Sequence, residues 1–162
     1  MNDASSSTYL NGRIEYQHAL DTVIEYARHT LRIFDFDLHD GGYNAVPRYD
    51  RLKRFLLASS KNRLLIVLHR VDYLKRDCPR MLNLLREHSE AVFIHQTNAE
   101  AHNVFDPLLI ADDAHYVHRF HYEQPRAERV LNDLALTQPC LHRFEEIWQA
   151  STLAVAATTI GL

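Results

Sequence analysis

The chain is 162 residues long, 46% hydrophobic and 24% charged, with a formal charge of −3. That length suits one domain with a single core, and the composition excludes disorder. The charge balance gives neither nucleic acid nor an acidic membrane a global attraction, so either partner would need a local patch. Met1 to Ser7 lacks a basic start followed by an apolar run, so no signal peptide is expected. No apolar stretch reaches spanning length, which argues against a membrane partner. Cys78 and Cys140 stand in neither a C-x-x-C nor a zinc spacing. They read as reduced thiols of a cytoplasmic protein, and no cofactor is implied.

In chain order, residues 1–10 read as a flexible lead-in. Leu20, Val23, Ile24 and Ala27 recur at three- and four-residue steps, predicting a helix from Arg13 to about His29. Leu31 to Phe36 reads as a strand, closed by a loop with Gly41 and Gly42. A helix is expected from Pro47 to about Ser60, burying Leu52, Phe55 and Leu56. Arg63 to His69 carries five consecutive apolar residues, as a strand covered on both faces does. A helix after Pro79 runs to His88, and Ala91 to Gln96 is a third strand. Leu108 to Ala111 and His115 to Phe120, reversed at Asp112-Asp113, predict a hairpin. Ala127 to Leu134 reads as helical, and Pro139 as the start of a last helix through Trp148. Residues 152–162 read as a tail. The order predicts an α/β domain over the whole chain, a mostly parallel mixed sheet flanked by helices.

The strand-helix-strand plan, the Leu108-Leu109-Ile110-Ala111-Asp112 strand and the closing Phe144-Glu145-Glu146-Ile147-Trp148 helix resemble one half of the phospholipase D-like fold. More narrowly, they resemble a bacterial branch of it, a domain of unknown function. Active members of that superfamily carry H-x-K-x4-D, then Gly-Ser and an Asn. The resemblance implies a His that attacks phosphorus, a second His that protonates the leaving group, and Lys and Asn holding the phosphoryl oxygens. With the motif's Asp on Asp112, Phe105 stands at the His position and Pro107 at the Lys position. Arg119-Phe120 replaces Gly-Ser, and no Asn follows in reach. On Asp113 the same positions are Asp106 and Leu108. The resemblance therefore implies a degenerate, non-catalytic domain used for binding or assembly. A chain with only one half would pair with itself as a homodimer, using Phe105, Leu108 and Phe120.

Eleven histidines are a second signal. His39, His69 and His95 fall at or after the carboxyl ends of the first three strands, together with Asp35, Asp37 and Asp72. Ligands of open parallel sheets bind at that end. If the side chains converge, they suit a divalent metal or a phosphorylated ligand, and the alternative function is a phosphodiesterase or metal-dependent hydrolase. His115, His118 and His121 lie on a strand, which sends His118 to the face opposite the other two. Arg48, Arg51, Lys53 and Arg54 read as a solvated helix face, with a nucleic-acid backbone patch as the other reading.

Overall fold

The computed structural model describes residues 4–159. Three helix-strand steps build its centre. Helix α1 (Arg13–Tyr26) leads into strand β2 (Thr30–Asp35), and α2 (Val46–Ala58) into β3 (Arg63–Leu68). Helices α3 (Asp72–Asp77) and α4 (Pro79–Glu87) then lead into β4 (Val92–Thr97). Strands β5 (Leu108–Ala111), β6 (His115–Arg119) and β7 (Arg126–Leu131) follow as a meander. Helix α5 (Leu134–Gln149) and strand β8 (Ser151–Val155) complete the order, and β1 (Ser6–Asn11) precedes α1.

One eight-stranded sheet results, in the order β1-β7-β6-β5-β2-β3-β4-β8. It is the expected mixed sheet flanked by helices. Its parallel part is confined to β2-β3-β4, however, and every other pairing is antiparallel. The expectation of a mostly parallel sheet holds for the centre alone, because the β5-β6-β7 meander needs no crossover helix and fills one flank with antiparallel strands, while β1 and β8 close the two edges antiparallel.

The two faces are covered unequally. On one, α1, α2 and α4 press Leu20, Val23, Leu52 and Leu84 onto Ile33, Leu64 and Ile66. On the other, α5 places Phe144 and Ile147 against Phe34, Val67, Leu108 and Ile110. Burial from both sides explains why β3 is apolar without a break from Leu64 to Leu68.

Several boundaries differ from the sequence reading. Arg126–Leu131 is a strand, not a helix. Ala127 and Leu131 face one core and Val130 the other, and the edge of β6 supplies hydrogen-bond partners that six residues cannot supply each other. The lead-in is ordered from Ser6, where β1 pairs with β7 along its whole length. Likewise the tail begins with β8 on the edge of β4; its last residues, 160–162, lie outside the described residues. The last helix starts five residues before Pro139, at an N-cap where the Asp133 carboxylate accepts the Leu136 N–H at 2.9 Å. Leu108, expected at an interface, is 2% exposed and packs under α5. No helix among the described residues is long and apolar enough to cross a membrane.

Candidate functional site

At the carboxyl ends of β2 and β3, four chain segments bring a set of rings together. Phe36 follows β2, His69 follows β3, His102 and Phe105 precede β5, and His121 with Tyr122 follow β6. Phe36 and Tyr122 stack with centroids 4.4 Å apart. His69 meets Phe36 and His102 edge-on at 5.9 Å and Phe105 at 6.5 Å. Phe105 also leans on His121 at 5.7 Å and remains 43% exposed. The crevice thus presents an aromatic surface.

His69 does not compensate for that loss. Its Nε2 lies 2.5 Å from the Val104 carbonyl, which can only accept, so Nε2 carries the proton. Its Nδ1 then accepts the Thr97 hydroxyl at 2.7 Å. Both nitrogens are committed to the chain, and burial pulls the pKa below the usual histidine value.

The other predicted site residues are dispersed. His95 stacks on Trp148 at 3.7 Å and its Nδ1 pairs with the Ser151 hydroxyl at 2.9 Å, so its ring contact shares no residue with those of His69. Burial lowers its pKa too. His39 is exposed, 3.2 Å from Asp40 and edge-on to Tyr73. Asp37 accepts the backbone N–H of His39 at 2.9 Å, and Asp72 sits on the surface 3.7 Å from Arg70. Asp35 is buried, on the face of the sheet opposite His69. Burial pushes its pKa up to about 7; Asp37 and Asp40 add to the rise, while the Phe36 N–H and Arg119 oppose it. Among the described residues, no three His, Cys, Asp or Glu side chains are grouped to hold a metal.

Two polar networks escaped sequence reasoning because their members are far apart in the chain. Asp106 accepts from His118 at 2.8 Å and receives both a 2.9 Å bond from Arg143 Nε and a second, shorter bond from its Nη2. Burial alone would raise the Asp106 pKa, but these donors hold it below the ordinary value. Asp40 joins Arg13 at 2.7 Å to Arg119 at 3.2 Å, and the Arg119 guanidinium lies 5.0 Å over the Tyr16 ring.

Asp112 has a different task. Its carboxylate accepts the backbone N–H groups of Arg28, His29 and Thr30 at 2.9, 2.8 and 3.0 Å. It does so from the left-handed region, φ 55°, which Asp tolerates. Asp112 therefore fastens the end of α1 to the start of β2. His115, by contrast, accepts the Asn132 N–H at 2.9 Å, and His118 points to the other face as expected.

The basic run dissolves on inspection of its partners. Arg48, read as solvated, is 3% exposed and donates to Asp21 at 2.5 Å and to the carbonyls of Gly41 and Gln17. Arg51 pairs with Glu25 and Lys53 with Glu87. Of these four, Arg54 alone has no partner among the described residues.

The sequence model of DUF7931, a domain of unknown function, matches residues 13–156. The chain belongs to that family. No curated protein matches it by sequence. Among solved structures, the DUF7931 chain is similar to Nuc, a phospholipase D family member from Salmonella typhimurium. The TM-score is 0.66 at 12% identity, covering 94% of this chain and all of Nuc. NucT from Helicobacter pylori aligns at 0.61 and 10% identity, over 93% of this chain and all of NucT. TrmBL2, an archaeal chromatin protein with a novel mode of DNA binding, aligns at 0.69 and 14% identity over 95% of this chain. The DUF7931 chain spans 56% of TrmBL2. The fold is phospholipase D-like.

Proposed function

We propose that this DUF7931 chain is a phospholipase D-like domain without phosphoryl-transfer chemistry, working in binding or assembly as a homodimer. One observation carries the reading: Phe105 and Pro107 occupy the positions from which His and Lys would reach a phosphorus atom, while Asp112 remains as a fastening. An aromatic ring cannot form the covalent intermediate, and a pyrrolidine cannot hold an oxyanion. The commitment of both His69 nitrogens supports the same reading.

Homodimerisation is favoured by two observations. The chain is matched over almost its whole length by the complete Nuc and NucT chains, so it corresponds to one copy of each. Phe105 and Phe120, flanking the open end of the β5–β6 hairpin, stand 43% and 40% exposed, apolar side chains of the kind that self-association covers. TrmBL2 is described as a chromatin protein that binds DNA, a precedent for binding by a protein that shares this fold over part of its length. The two free thiols, Cys78 and Cys140, suit a reducing, cytoplasmic compartment.

Light scattering at roughly tens of micromolar chain should give twice the chain mass. A monomer there would remove the assembly half of the proposal. Incubation with phosphodiesters and divalent metals should yield no phosphohistidine and no turnover. Turnover abolished in His69→Ala, with folding intact, would instead establish the hydrolase.

A further inference from the structure

At the end of the parallel strands opposite the Phe105 crevice, the last turns of α1 and α2 diverge around a groove of about 430 Å³. We infer that this groove is a binding site for a small amphipathic anion, an apolar body carrying a phosphate or carboxylate head. The inference is independent of the reading given above.

The floor is apolar and belongs to the core. Ile24, Ala27 and Phe55 line it while remaining almost wholly buried from solvent. The volume falls in the range of small-ligand pockets, which combine an apolar lining with a few polar groups.

The rim is basic and only partly neutralised. Arg28, Arg51 and Arg54 line the groove with a single carboxylate, Glu25. Arg51 is the arginine that Glu25 neutralises: its Nε donates to Oε1 at 2.7 Å, and Asp21 lies 3.8 Å away. Those carboxylates raise the Arg51 pKa, the Glu25 hydrogen bond contributing most. Arg28 spends Nη1 on the carbonyls of Glu25 and Ala27, at 2.8 and 3.0 Å, and pairs with no carboxylate. Arg54 pairs with nothing among the described residues.

The helix ends oppose an anion, and the magnitudes decide the sign. Each C-terminus contributes roughly half a negative charge, so the two together amount to about −1. The guanidiniums of Arg28 and Arg54, neither paired with a carboxylate, outweigh that, and Arg28 already covers the Glu25 and Ala27 carbonyls at the end of α1. The groove is also held open by the fold. Asp112 grips the backbone of Arg28, His29 and Thr30, so the Arg28 wall is positioned before any ligand arrives. Guanidiniums on an apolar floor recognise head and body together, which neither inorganic phosphate nor an alcohol supplies alone.

Calorimetry on the full chain tests this with octyl phosphate below its micelle concentration, beside inorganic phosphate and octanol. Octyl phosphate should bind one per chain, at least about tenfold more tightly than inorganic phosphate, and octanol should give no saturable heat. Arg54→Gln and Arg28→Gln should each weaken octyl phosphate binding about tenfold, the loss expected for a charge-assisted contact. Arg54 is exposed and unpaired, so its replacement leaves folding intact. Phe105→Ala should leave the affinity unchanged, which separates this site from the aromatic crevice. Absence of saturable binding to ~1 mM would overturn the proposal, as would equal affinity for inorganic phosphate. So would unchanged affinity in both arginine variants.

Discussion

Strand β5 has two ends with opposite histories. At its amino end, Phe105 and Pro107 stand where the resembled superfamily keeps its reactive residues, and the surroundings have become aromatic. At its carboxyl end, Asp112, one of the two aspartates that can be set against the resembled motif, satisfies three backbone N–H groups. A catalytic side chain is supported by its neighbours but supports little in return, so it can be exchanged without loss of the fold. A carboxylate that closes the junction between a helix and a strand cannot. The contrast separates residues a motif keeps for chemistry from those it keeps for architecture.

The sharpest way to break the comparison is to remove the architectural end. Asp112→Ala strips three N–H groups of their acceptor and places Ala, which tolerates the left-handed region less well than Asp, at φ 55°. It should cost ~3–5 kcal/mol in urea unfolding, whereas the exposed neighbour Asp113→Ala should change little. A small effect at Asp112 would mean that water replaces the carboxylate and that the residue is retained for another reason.

A test near the other end uses Asp35, on β2 one residue before the aromatic Phe36. Its folded pKa of about 7 lies above the ordinary 3.8. The buried acid therefore costs nothing below pH 3.8, where both states are protonated. Between 3.8 and 7 only the unfolded state ionises, so stability falls as pH rises, and the full cost is present above 7. Asp35→Asn should remove that slope and gain on the order of 2–3 kcal/mol relative to the parent between pH 4 and pH 8. Parallel curves for the two proteins would show Asp35 ionised at no penalty.

Asp106 carries the opposite sign. Its folded pKa is depressed, so its contribution is present above 3.8 and is lost as pH falls below that value. Asp106→Asn should cost ~1–2 kcal/mol at pH 7, and the gap should close on acidification towards pH 3. A gap that persists there would assign the loss to packing. The smallest effect is expected from restoring the lost pair. Phe105→His with Pro107→Lys should give no measurable phosphodiester turnover, because the Gly-Ser and Asn positions remain unfilled.

Legibility in the sequence followed local periodicity. β3 and β5 were readable because both cores press on them and leave continuous apolar runs, and β2, β4 and β6 by their β-branched and aromatic residues. β1 was not, since Ser6-Ser7-Thr8-Tyr9 buries almost nothing and exists because β7 offers its edge. Arg126–Leu131 was misread because six residues fit either period. At the site, the missing His and Lys were visible as letters. The ring cluster was not, because its members come from four segments that only the sheet brings together. Arg48 looked solvated because its partners Asp21 and Gln17 belong to α1.

The two outermost strands, β1 and β8, come from opposite ends of the described chain. A fragment cut to the matched residues 13–156 would therefore discard β1 and bare the flank of β7. Six residues of unsatisfied ladder would then be free to recruit other chains. Expression boundaries drawn from family similarity alone would turn a well-behaved sheet into a sticky one, and the cure is to begin upstream of Ser6.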